Sequence, residues 1–107
     1  MKMIMAIVNS DDANAVVQNL MKAHFSVTRL TSTGGFLRAG NVTILVGVDD
    51  EKVQEVIDII HKYSHSRKQM MPTAAEAGMN FYPGMPVEIV VGGATIFVMD
   101  VEKFVKI

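Results

Sequence analysis

Lys2-Met3-Ile4-Met5-Ala6-Ile7-Val8 has no polar residue after Lys2 and ends at Asn9-Ser10-Asp11-Asp12. An unbroken apolar run bounded by turn formers reads as a strand covered on both faces. Ser10, Asp11 and Asp12 supply a cap and negative charge where a helix N-terminus favours both. Ala13, Val16, Val17, Leu20 and Met21 then recur at the helical interval, which predicts a helix over 11–23. The same grammar returns downstream. Val42-Thr43-Ile44-Leu45-Val46-Gly47-Val48 is a second apolar run, Asp49-Asp50 follows it, and Val53, Val56, Ile57 and Ile60 form a second stripe. Glu51, Glu55, Asp58 and Lys62 line the opposite, solvated face of that helix.

Between these two units, residues 26–32 are rich in β-branched types and predict a strand. After the second helix, residues 65–85 carry Pro72, Gly78, Pro83 and Gly84 and no sustained period, so they read as one long loop. Val87–Val91 is a further strand. Gly92-Gly93 signals a two-residue hairpin into a last strand, Ala94–Met99. Residues 100–104 read as a short closing helical turn. The order is β-α-β twice over with an extra C-terminal strand, a mixed α/β (α+β) chain on the split-βαβ, ferredoxin-like plan. Both helices then cover one face of an antiparallel sheet. A sheet facing water on its other side should alternate apolar and polar residues, and these strands do not. The expectation is an oligomer that covers the second face.

Composition narrows the function. The 107 residues suffice for one domain, 1–107. Half are hydrophobic and the net charge is −1, which excludes a disordered chain and gives no electrostatic footprint for nucleic acid. No apolar run is long enough for membrane insertion, and the N-terminal run lacks the cleavage site of a signal peptide. Cysteine is absent, so thiolate metal sites and disulfides are excluded. The expected compartment is the cytoplasm. His61 and His65 have metal-gripping spacing but no third ligand near in sequence, and serve a helix C-terminus instead. Of the nine methionines, Met3, Met5, Met21 and Met99 read as core, whereas Met70, Met71, Met79 and Met85 mark an apolar loop surface. No nucleophile–base pair or carboxylate dyad is visible, so no enzyme is expected.

One stretch carries ligand chemistry: Thr31-Ser32-Thr33-Gly34-Gly35-Phe36-Leu37-Arg38-Ala39-Gly40-Asn41. Hydroxyls before a glycine pair can present backbone N–H groups to an anion. Phe36 offers a stacking face, Arg38 a charge, and Asn41 the donor–acceptor pair that an adenine edge uses. The bland alternative is a hairpin with Phe36 packed on its own sheet. Gly35 and Gly40 have P-loop spacing, but Asn41 and Val42 stand where Lys and Ser/Thr are required, so nucleotide hydrolysis gets no support.

Thr33-Gly34-Gly35-Phe36-Leu37-Arg38-Ala39-Gly40-Asn41, taken with Met1–Ile4, Pro86-Val87-Glu88 and Val91-Gly92-Gly93-Ala94-Thr95-Ile96-Phe97-Val98-Met99, resembles the PII-like cyclic-di-AMP receptors of Gram-positive bacteria. The resemblance spans the chain in one register. It implies a homotrimer with one cyclic di-AMP in each cleft between neighbours, no other cofactor, and a downstream protein partner not yet identified. It implies that Thr28 meets the ligand, and that backbone groups of Gly35, Phe36 and Leu37 meet a phosphate and ribose. Asn41 and Gly47 would read an adenine, and Phe97 would pack against a base. Ser26, Gly92 and Gly93 complete the implied ligand-binding set. Segments 31–42 and 65–85 would be the mobile elements that relay ligand state. Two departures stand out: His24 and Ser26 occupy positions where the family usually carries Asn and Arg. The arginine contributes to the ligand site, and a charge-assisted hydrogen bond is worth about 1.5–3 kcal/mol. Weaker ligand binding by one or two orders of magnitude is the expectation if nothing compensates. A PII-like sensor of another adenine nucleotide and a protein-interaction module without nucleotide are the alternatives.

Overall fold

The computed structural model describes residues 1–30, 40–71 and 87–107. In chain order the elements are β1 (Lys2–Asn9), α1 (Ser10–Lys22), β2 (Val27–Leu30), β3 (Asn41–Val48), α2 (Val53–Ser64), β4 (Arg67–Met71), β5 (Val87–Val91) and β6 (Ala94–Asp100). A 3-10 turn, Asp50–Lys52, precedes α2. The main sheet has the order β2-β3-β1-β6, antiparallel throughout, and this is the split-βαβ plan expected from the sequence.

Register explains the core. Ile4 pairs with Val46, Ala6 with Ile44 and Val8 with Val42, so the even-numbered side chains of β1 and β3 share one face. All six are buried, as are Ala13, Val16 and Leu20 of α1 and Val56 and Ile60 of α2. Both helices therefore lie on that face. The odd-numbered positions, Met3, Met5, Ile7, Thr43 and Leu45, occupy the other face and are only half-buried. Methionines assigned to the core from sequence are corrected here. Met3, Met5 and Met99 belong to the open face, and Met21 is 60% exposed on α1.

The ends of α1 are set by local hydrogen bonds. Asn9, not Ser10, is the N-cap: its side-chain oxygen accepts from the Asp11 N–H at 2.8 Å. At the C-terminus, Phe25 N–H donates to the Leu20 carbonyl at 3.0 Å and His24 N–H to the Met21 carbonyl at 2.9 Å. That is a Schellman ending, and it puts His24 in the left-handed region at φ 70°. Asparagine and histidine are among the few non-glycine types that enter this region readily. Histidine at position 24 therefore suits this backbone conformation.

Three sequence expectations fail in the C-terminal half. Residues 67–71 are a strand rather than loop: Arg67–Met71 pairs antiparallel with Val87–Val91 as a separate two-stranded sheet. Arg-Lys-Gln-Met-Met has no alternation and little β preference, so its partner strand decides its state. Residues 72–85 of the expected loop lie outside the described residues. Gly92-Gly93 is not a hairpin. Both residues have φ of 81°, as a tight two-residue turn requires, but β5 pairs with β4 while β6 pairs with β1. The glycines hand the chain from one sheet to the other. Residues 100–104 form no helical turn: Asp100 ends β6, and Val101 N–H is held by the Met1 carbonyl at 3.2 Å.

Gly92 sits against an ion pair that joins α1 to the two-stranded sheet. Asp12, 8% exposed, accepts from Arg67 through both oxygens, at 3.0 Å from Nη2 and 3.3 Å from Nη1. This ties the first turn of α1 to the start of β4. A Cβ on Gly92 would lie 2.5 Å from Arg67 Nη1 and 2.7 Å from the His65 carbonyl oxygen. The carbonyl is backbone and cannot swing away. Gly92→Ala is therefore expected to lower stability by about 2 kcal/mol or more, from left-handed strain plus displacement of this junction. Urea unfolding reads it; an unchanged midpoint would remove the close approach.

Candidate functional site

The open face ends in a cleft of about 620 Å³, within the range of roughly 300–1,000 Å³ usual for small-molecule sites. Its floor is made by Met3 of β1, Leu45 and Gly47 of β3 and Thr28 of β2. These belong together by register, since Met3 faces Gly47 and Thr28 faces Leu45. Ser26 forms one rim, and Asp100, Val101, Lys103 and Phe104 form the other, with Met1 beside them. Gly47 needs no special backbone angle. Its missing side chain is what leaves room, and an added Cβ would meet only the Met1 Cε, at 3.1 Å.

Two ion pairs fix the rim. Lys2 donates to Asp100 across the β1–β6 ladder. That hydrogen bond, with the charges of Asp100 and Asp50, holds the Lys2 ammonium above its ordinary pKa despite some desolvation. The Met1 ammonium lies 2.9 Å from Asp50 Oδ1. This hydrogen bond, aided by the charges of the ammonium and Lys2, keeps the Asp50 carboxyl below the usual carboxylate range. A second, shallower cleft of about 260 Å³ shares Met1, Ser26 and Gly47 and adds His24, Phe25, Val48, Asp49 and Lys52.

Of the residues singled out from sequence, the structure brings Ser26, Thr28 and Gly47 into one cleft. The others lie elsewhere on the chain. Asn41 opens β3 and Gly47 nearly closes it, so six residues, about 20 Å of strand, separate them. Phe97 shares the open face and is 49% exposed, but it faces Met5 on β6, three strands from Thr28 and about 14 Å across. Gly92 and Gly93 adjoin Asp12, Arg67 and Ser66 at the Asn41 end of the sheet, where Gly93 N–H donates to the Ser64 carbonyl. Gly35, Phe36 and Leu37 lie outside the described residues. Sequence reasoning missed Asp100, Lys103 and Phe104, because 100–104 was read as a helical turn. The available signal was Phe104, Val105 and Ile107, apolar residues following the last strand with no period to bury them.

His61 and His65 border a different cleft of about 340 Å³ with Ser64, Ser66 and Gly93. Among the described residues, no group of three or more histidines or carboxylates could hold a metal ion. Among the same residues no helix is long and apolar enough to cross a membrane.

A four-stranded antiparallel sheet with two helices on one face and a ligand-sized cleft on the other defines a ferredoxin-like binding domain. Residues 1–107 match the family described as "Cyclic-di-AMP receptor", and the chain belongs to that family. It is a family of signalling receptors rather than enzymes. The fold is similar to the crystal structure of a functionally unknown protein from Pediococcus pentosaceus, with a TM-score of 0.75 and 37% identity over 99% of this chain and 96% of that one.

Proposed function

We propose that this single-domain chain is a homotrimeric receptor that holds cyclic di-AMP between neighbouring copies and passes ligand state to a downstream protein through segments 31–42 and 65–85. The observation that carries the reading is the separation of Asn41 from Gly47 by about 20 Å along β3. No single adenine spans that distance. A cleft built from the Gly47 end of one copy and the Asn41 end of another lets both residues meet one ligand. The cleft at Ser26, Thr28 and Gly47 opens on the half-apolar face that the helices leave uncovered, where a neighbour would sit.

The downstream step is a population shift: the ligand favours whichever arrangement of the two segments contacts it better. The test is isothermal titration with cyclic di-AMP, using ATP, ADP and cyclic di-GMP as controls. Saturable, selective binding near one ligand per chain is expected. Asn41→Ala and Gly47→Val should each weaken it about tenfold or more while the protein stays folded. Gly47→Val is informative because a β-branched residue suits a strand and fills the cleft. Equal binding of ATP, or no heat with cyclic di-AMP, would overturn the assignment of ligand.

A further inference from the structure

We propose that Lys103 binds a phosphate of the ligand. The inference rests on the cyclic di-AMP reading above. Cyclic di-AMP carries two phosphodiesters, each with one negative charge, so its site needs positive charge or oriented N–H groups at two places. Among the residues lining the 620 Å³ cleft, those of charged type are Asp100 and Lys103. Asp100 is taken by Lys2. Lys103 has neither a hydrogen bond nor an ion pair among the described residues, and its side chain is exposed on the rim opposite Ser26.

The rim is anchored where it matters. Val101 N–H donates to the Met1 carbonyl at 3.2 Å and Asp100 is paired, so the chain is held two residues before Lys103. An ammonium on a flexible stem, mounted on a fixed base, can reach an anion without moving the sheet. Phe104 stands next to it, 62% exposed and also lining the cleft, where its ring offers a face to a base. A lone exposed lysine would be an ordinary solubilising charge. This one shares a ligand-sized cleft with a hydroxyl, a glycine gap and an uncovered aromatic ring.

Titration of cyclic di-AMP into wild type, Lys103→Gln, Lys103→Arg and Lys106→Gln, at low and high salt, tests it. Lys103→Gln is expected to bind about tenfold more weakly, with thermal unfolding unchanged. Lys103→Arg should stay within about threefold of wild type, because the charge is kept. Lys106→Gln, the exposed control outside the cleft, should bind as wild type does. The affinity of Lys103→Gln should also depend less on salt, since one screened attraction is gone. Wild-type binding with Lys103→Gln unaffected would overturn this proposal and leave the ligand reading intact. So would equal weakening by Lys103→Gln and Lys106→Gln, which would mark diffuse charge. A wild type that does not bind cyclic di-AMP would remove the ligand reading and this proposal together.

Discussion

Ile44→Ala is expected to lower the unfolding free energy by about 3 kcal/mol or more, within the roughly 2–5 kcal/mol range for truncating a buried isoleucine. Ile44 is 0% exposed and lies on β3, flanked by β1 and β2. Its partner on β1 is Ala6, whose methyl group cannot fill the space left behind. Its partner on β2 is Arg29, which is held by Asn14 at 2.7 Å and is not free to collapse inward. The cavity therefore persists, and persistent cavities are the costly ones. At about 4–8 °C per kcal/mol, a loss of about 3 kcal/mol should lower the melting temperature by roughly 12–24 °C. Met21→Ala is the contrast. Met21 is 60% exposed and alanine is a good helix former, so the change should stay within about 0.5 kcal/mol. Urea unfolding at several protein concentrations measures both and separates fold stability from assembly. An Ile44→Ala loss below about 1 kcal/mol would mean that the sheet and helices repack over the gap.

The features legible in the sequence are those with a local cause. β1, α1, β3 and α2 each combine an apolar period with acidic residues at a helix start, and these four place the core. Positions decided by a distant partner were not legible. Arg67–Met71 has no strand signature, and it is a strand because Val87–Val91 lies beside it. At Gly92-Gly93 the reading of a two-residue break between strands was right. The pairing was not, because β6 goes to β1 as the fourth strand of the main sheet. Asp12 illustrates the same limit: it reads as a helix-start charge and also accepts from Arg67, 55 residues away. The site divides the same way. Thr28 faces Leu45, two residues from Gly47 on the same face of β3, so they fall into one cleft with Ser26. Lys103 and Phe104 join that cleft only because β6 runs beside β1 and delivers the C-terminal segment to it. No spacing in the sequence encodes that delivery.

Met5→Glu is expected to dissociate the proposed trimer into folded single chains. Met5 lies on β1, between β3 and β6, and forms a row with Leu45 and Phe97 across the open face. In one chain this residue is half-buried, so a glutamate can reach water there at little cost to the fold. Under neighbouring copies the same carboxylate would be buried without a partner, which costs several kcal/mol in each chain. The helix-side core uses the opposite parity of β1, Ile4, Ala6 and Val8, and is untouched. Sedimentation should therefore give the mass of one chain, with the far-ultraviolet signal of the helices retained. A variant that sediments as wild type would show that the open face is not the contact between copies. Ligand binding then gives a second reading of the same protein. If Asn41 and Gly47 meet the ligand from different copies, single chains should lose cyclic di-AMP binding along with assembly. Full affinity in a monomeric Met5→Glu protein would put the whole site on one chain and end the interface account.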